Sequence, residues 1–151
     1  GPAYPEPHDC VLVRRDLIHP VKTVPRKGPR FEYYESIAKK DGVDLMGKAE
    51  VVRDGRKVRV YIPSAAPAFG LTSFRVKSGD EVQVFVTNHD SVEDLTHGFC
   101  VSKHDVNFVV NPRGTNSMTF TAGKPGVYWY YCTWFCHALH LEMRGRMIVE
   151  A

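Results

Sequence analysis

No stretch of this chain approaches the roughly 18 consecutive apolar residues of a membrane-spanning helix, so no such span is expected. A leader is missing too. Gly1-Pro2-Ala3-Tyr4-Pro5 has neither a basic start nor an apolar run, and we expect a processed chain or a piece of a longer one. Excess charge is scarce: 20 Lys and Arg against 17 Asp and Glu leave a net +3. That is too little to argue for nucleic acid, and no basic-aromatic groove pattern accompanies it. Cysteine is sparse as well. Four unevenly placed thiols in 151 residues do not make the disulfide framework of a small secreted domain. What the chain does have is 43% hydrophobic content, enough to bury one globular core.

Residues 1 to about 30 are proline-rich and lack periodicity, which predicts an extended connector. Arg14, Arg15, Lys22, Arg26, Lys27 and Arg30 crowd it, with Asp16 among them. A solvated arm or a segment docked on a partner domain would account for that charge. Phe31, Tyr34, Ile37 and Ala38 then recur near helical spacing, and Gly42 follows as a stop, predicting a short helix over about 31–41. Residues 1–45 are therefore read as a connector arm and 46–151 as the folded domain.

From Lys48 the period changes to two. Val58, Val60 and Ile62 alternate with Lys57, Arg59 and Tyr61, and Val82, Val84 and Val86 with Glu81, Gln83 and Phe85, each predicting a half-buried strand. Asp54-Gly55 between Val51-Val52-Arg53 and the first of these is a hairpin signal. Further strands are expected at 72–77, 96–102, 107–110, 116–121, 127–132 and 146–150, with turns at 78–80, 111–114 and 124–126. Short strands punctuated in this way predict an all-β sandwich. In the block Val127-Tyr128-Trp129-Tyr130-Tyr131, strand parity separates Val127, Trp129 and Tyr131 from Tyr128 and Tyr130.

Cys132-Thr133-Trp134-Phe135-Cys136-His137-Ala138-Leu139-His140-Leu141-Glu142-Met143 is too rich in soft metal ligands to be ordinary core. Sulfur donors with imidazole select copper(I), zinc or iron-sulfur clusters, and the thioether of Met143 argues for copper. His97, at an expected strand end upstream, is the candidate anchor. Two His, one Cys and a long Met make a blue-copper site, but here a second thiolate allows two metal ions to be bridged, each with its own imidazole from His97 or His140.

Cys132, Trp134, Cys136, His140 and Met143, with His97 upstream, resemble the dinuclear purple copper (CuA) motif shared by nitrous-oxide reductase and cytochrome c oxidase subunit II. Trp between the cysteines, where the oxidase subunit typically has Glu, points to the reductase. Pro125-Gly126-Val127-Tyr128-Trp129-Tyr130-Tyr131 and Arg144-Gly145-Arg146-Met147 extend the likeness to the C-terminal part of that enzyme. The resemblance implies a cupredoxin Greek-key sandwich in which Cys132 and Cys136 bridge the coppers. His97 and Met143 would serve one copper, His140 and the backbone carbonyl of Trp134 the other. It also implies a tetranuclear copper cluster in an N-terminal propeller domain, to which His8 of His8-Asp9-Cys10 would contribute. The chain itself has no propeller repeats and only seven His. Further implications are a periplasmic setting, a cytochrome c or small cupredoxin as electron donor, a homodimer, and electron delivery for the reduction of nitrous oxide to dinitrogen.

Other readings stay open. Zinc would accept Cys132, Cys136, His140 and His97 in a tetrahedron; a copper-storage module and a soluble piece of the oxidase subunit are the other rivals. His137 is read as a packing or surface residue, and His89 and His104 as solvated loop positions. Asp90 is either a carboxylate that orients a metal-bound imidazole or a turn residue. Cys100 is expected to be a small buried thiol; Cys10 has no assigned role.

Overall fold

The computed structural model describes residues 29–92, 95–133 and 143–151. The connector before residue 29, including His8 and Cys10, lies outside the described residues, as do Trp134, Cys136, His137 and His140.

Among the described residues, the helix α1 (Pro29–Lys40) precedes ten strands. Proline suits the first helical position, where its missing N–H costs no hydrogen bond, and Glu32 at the start with Lys39 and Lys40 at the end complement the helix dipole. The expected glycine stop is present in full. Gly42, at φ +73°, donates to the Lys39 carbonyl at 3.0 Å, and Val43 donates to Ala38 at 2.8 Å, a Schellman pair of bonds that closes the last turn.

The strands are β1 (Glu50–Asp54), β2 (Lys57–Ala65), β3 (Ala68–Phe69), β4 (Ser73–Lys77), β5 (Glu81–Asn88), β6 (His97–Val101), β7 (Val106–Val110), β8 (Thr115–Thr121), β9 (Gly126–Tyr131) and β10 (Arg144–Glu150). They form two five-stranded sheets: β1-β2-β5-β8 with β3 beside β2, and β4-β10-β9-β6-β7. β2 with β5 and β4 with β10 run parallel; the other pairs are antiparallel. The expected all-β sandwich is thus observed. The first hairpin turns one residue later than its sequence signal: Asp54 pairs with Lys57, and Gly55, at φ +62°, opens the two-residue loop. Glycine there supplies the positive φ that a II′ turn requires at its first central position.

Val58, Val60, Ile62, Val82, Val84 and Val86 line the inner face of the first sheet and meet Phe74, Val76, Phe99, Tyr130 and Met147 from the second. β2 and β5 are not half-buried throughout, however. Tyr61 and Phe85, on the outer face, are 2% and 0% exposed because α1 covers them with Phe31, Tyr34 and Ala38, joined by Val43 and Leu45. Tyr61 and Phe85 stack at 4.6 Å, and Tyr34 meets Phe85 edge-on at 5.9 Å. Asp41, just after the helix, accepts two hydrogen bonds from Arg59 at 2.6 and 2.9 Å and one from Tyr61 at 2.5 Å. This buried fork latches the helix to β2. The Arg59 hydrogen bonds lower the Asp41 pKa, outweighing burial.

Candidate metal centre

Three strand ends of the second sheet converge at one end of the sandwich. Cys132 continues β9 by one residue, and Met143 precedes β10. The β9–β10 ladder pairs Tyr131 with Arg144, and the Cys132 N–H donates to the Met143 carbonyl at 2.9 Å, extending it by one rung. His97 begins β6, which pairs with β9 through Cys100 and Tyr131. Side chains alternate along a strand, so His97 shares the inward face with Phe99, Cys132 with Tyr130, and Met143 with Gly145 and Met147. Exposures of 0%, 5% and 0% for His97, Cys132 and Met143 agree. Trp134, Cys136 and His140 lie in the intervening segment, outside the described residues.

Among the described residues, the two nitrogens of the His97 ring differ in their surroundings. Its Nε2 lies 2.7 Å from Asp90 Oδ2, whereas Nδ1 is buried without a hydrogen-bond partner. Cys132 Sγ accepts the Gly98 N–H at 3.4 Å. Burial opposes the charged form of His97, but Asp90 and Cys132 outweigh it and its pKa lies above the ordinary value. Burial likewise pushes the Asp90 carboxyl up, yet His97 and the Ala66 N–H carry it below the usual range. Asp90 is anchored from both sides: Ala66 N–H donates to its Oδ2 at 2.9 Å, and its own N–H donates to Asn88 Oδ1 at 2.9 Å. The turn contact and the carboxylate-imidazole contact occur in the same residue.

Asn88 is the residue sequence reasoning passed over. Fully buried at the end of β5, it donates from Nδ2 to the carbonyls of Leu95 at 2.7 Å and Val110 at 3.1 Å while accepting from Asp90. It thereby ties the approach to His97 and the end of β7 to the Asp90 turn. The available signal was a polar residue closing the apolar run Val82–Val86.

Three expectations change. Cys100 is half-buried on the outer face of β6, its thiol 3.5 Å from the Tyr131 hydroxyl, because Phe99 and Val101 take the inward positions. His104 is no solvated loop residue: its Nδ1 lies 2.8 Å from the Ser102 carbonyl, its Nε2 accepts the Gly123 N–H at 3.0 Å, and its ring meets Tyr128 edge-on at 4.5 Å. His89 is half-buried, with its Nε2 shielded from solvent.

The donor set suits a soft metal. An imidazole nitrogen is buried and unbonded while its other nitrogen is held by a carboxylate, the arrangement that fixes the tautomer of metal-bound histidine. A thiol and a thioether lie on the same inward face, and that chemistry favours copper.

No protein-family model matches the chain. It is 55% identical over 150 residues to nitrous-oxide reductase from Pseudomonas fluorescens, covering 99% of this chain and 24% of that protein. Cytochrome c oxidase subunit 2 from Thermus thermophilus is 28% identical over 66% of this chain and 72% of its own length. Among solved structures, a heme-copper terminal oxidase chain superposes with a TM-score of 0.60 at 23% identity, covering 95% of this chain and 88% of that one. Auracyanin A, a "blue" copper protein from Chloroflexus aurantiacus, superposes with a TM-score of 0.51 at 21% identity over 62% of this chain and 99% of its own. The chain spans about a quarter of the length of the nitrous-oxide reductases it matches. By sequence, then, this chain is homologous to a segment of nitrous-oxide reductase, and by fold it is a cupredoxin sandwich.

Proposed function

We propose that this chain is the electron-entry domain of a nitrous-oxide reductase, holding a dinuclear copper centre. Cys132 and Cys136 would bridge the coppers, with His97 and Met143 on one and His140 and the Trp134 carbonyl on the other. The observation that carries this reading is the meeting of His97, Cys132 and Met143 on one inward-facing strand end, with a buried imidazole nitrogen left unbonded. Bound there, the copper pair supplies a one-electron redox couple. The protein's own part is positional. Asp90 holds Nε2 of His97 so that Nδ1 faces inward, the Gly98 N–H supports the sulfur of Cys132, and the sandwich keeps three strand ends in register before any metal arrives.

The finer reading is that single electrons come from a small donor, a cytochrome c or a cupredoxin, and leave for a tetranuclear copper cluster in a propeller domain, where nitrous oxide becomes dinitrogen. His8 would ligate that cluster, residues 1–45 would connect the two domains, and 46–151 would form the copper domain. The full-length enzyme would be a periplasmic homodimer. The relatives' name and their greater length support this reading.

Counting copper per chain and recording the electron paramagnetic resonance spectrum test it. Two coppers sharing one unpaired electron are expected, with strong visible absorption. Replacing Cys136 by Ser should abolish the two-copper form. A colourless protein carrying one zinc would establish the structural-zinc alternative instead.

A further inference from the structure

Among the described residues, no element covers the outer face of the second sheet. On the second sheet, Val127, Trp129 and Tyr131 of β9 are 57%, 47% and 40% exposed. Register places Arg146 beside Trp129 and Arg144 beside Tyr131, and the two guanidinium groups lie 5.5 Å (Arg144) and 6.0 Å (Arg146) from the Trp129 ring centre. On the next strand, β4, Arg75 pairs across from Ile148 and Lys77 across from Glu150. Among the described residues this face thus carries Arg75, Lys77, Arg144 and Arg146 against the carboxylate of Glu150, which lies 3.7 Å from Arg75. Arg144 and Arg146 have no carboxylate partner among the described residues.

We propose that this face is where the electron donor docks, and that the donor presents an acidic patch; the proposal rests on the electron-entry reading above. Two observations favour this occupant. The charge is predominantly positive and surrounds an aromatic centre. Apolar contact at the middle with a charged rim is how transient interfaces gain both attachment and steering. The aromatic strip also leads directly into the copper site: Tyr131 immediately precedes Cys132, so a donor seated over Trp129 and Tyr131 is one peptide unit from a bridging thiolate. The other sheet offers no such surface, because α1 covers its outer face.

The test uses the copper-loaded protein with a strongly acidic and a strongly basic c-type cytochrome, both reduced, and follows copper reduction by stopped flow. Arg146→Glu should lower the second-order rate constant for the acidic donor about tenfold at low salt, raise it for the basic donor, and lose most of its effect at high salt, as steering requires. Trp129→Ser should slow the acidic donor while leaving the salt dependence in place. Lys57→Glu, at the start of β2 in the first sheet, should change the rates far less than Arg146→Glu. Calorimetry with the oxidised acidic cytochrome should show weaker association for both face variants. Reduction by ascorbate must stay as in the unaltered protein. Were ascorbate unable to reduce the protein, the electron-entry reading would fall and the docking proposal with it. Normal reduction by ascorbate and by both cytochromes irrespective of the charge at position 146 would overturn the docking surface alone. Self-association abolished by Trp129→Ser would overturn it too, by making the face a contact between copies of this chain.

Discussion

The two sheets have outer faces of the same sequence pattern and opposite fates. On β2 and β5 the outward residues Tyr61 and Phe85 are sealed under α1. On β9 the outward residues Val127, Trp129 and Tyr131 stay open between arginines. Strand periodicity tells which residues share a face and nothing about what covers it. A helix thirty residues upstream decides the first case. In the second no described element does so.

That contrast can be broken by mutation, and the largest effect should come from the sealed side. Phe85→Ala removes a ring stacked between Tyr61 and Tyr34 and should cost about 3–5 kcal/mol in denaturant unfolding. Trp129→Ala, an equally large truncation on the bare face, should cost less than about 1 kcal/mol. Equal costs would mean that the bare face is not bare.

Asp41→Asn attacks the latch that holds the helix over Phe85. Loss of the charged fork to Arg59 should cost about 1.5–3 kcal/mol at neutral pH. Because the folded-state pKa of Asp41 is lowered, its contribution is present above the unfolded value near 4 and is lost as pH falls through the lower folded value. The stability gap between the unaltered protein and Asp41→Asn should therefore be full at pH 7 and shrink below about pH 4. Asp80, lowered by its hydrogen bond from Arg53, is subject to the same sign and should add to acid lability.

Gly145 tests the inner side of the open sheet. A Cβ there would run into the Tyr130 ring, and Tyr130 is fully buried with its hydroxyl donating to the Leu71 carbonyl. Gly145→Ala should cost about 1–3 kcal/mol by overpacking, whereas Ala at the neighbouring, outward Arg146 should be nearly neutral to stability. A modest effect is expected at His104. His104→Ala strands the Gly123 N–H and the Ser102 carbonyl and should lower stability by about 1–2 kcal/mol, measured by thermal melting, with copper content unchanged.

Much of this could be read from residues alone, and the exceptions share a cause. Val82, Val84 and Val86 announced a strand with a buried side, and Gly42 announced the end of a helix; both are local statements about backbone period and φ. Cys132, His97 and Met143, the donors proposed above, stood out for a similar reason: residues with soft-ligand chemistry are rare enough to draw notice without coordinates. Asn88, His104 and Cys100 were misjudged or passed over because each makes contacts with another segment of the chain: Leu95 and Val110 for Asn88, Gly123 for His104, Tyr131 for Cys100.

By itself the sequence determined the strand periods, the helix stop, which residues of a strand share a face, and the soft-ligand chemistry on which the metal proposal rests. Tertiary structure alone decided which outer face is covered, that Asp90 meets His97 while Nδ1 stays unbonded, and that three strand ends meet on one side. Periodicity and ligand chemistry are properties of neighbouring residues, whereas coverage and convergence depend on how distant segments pack, and no local rule carries that information.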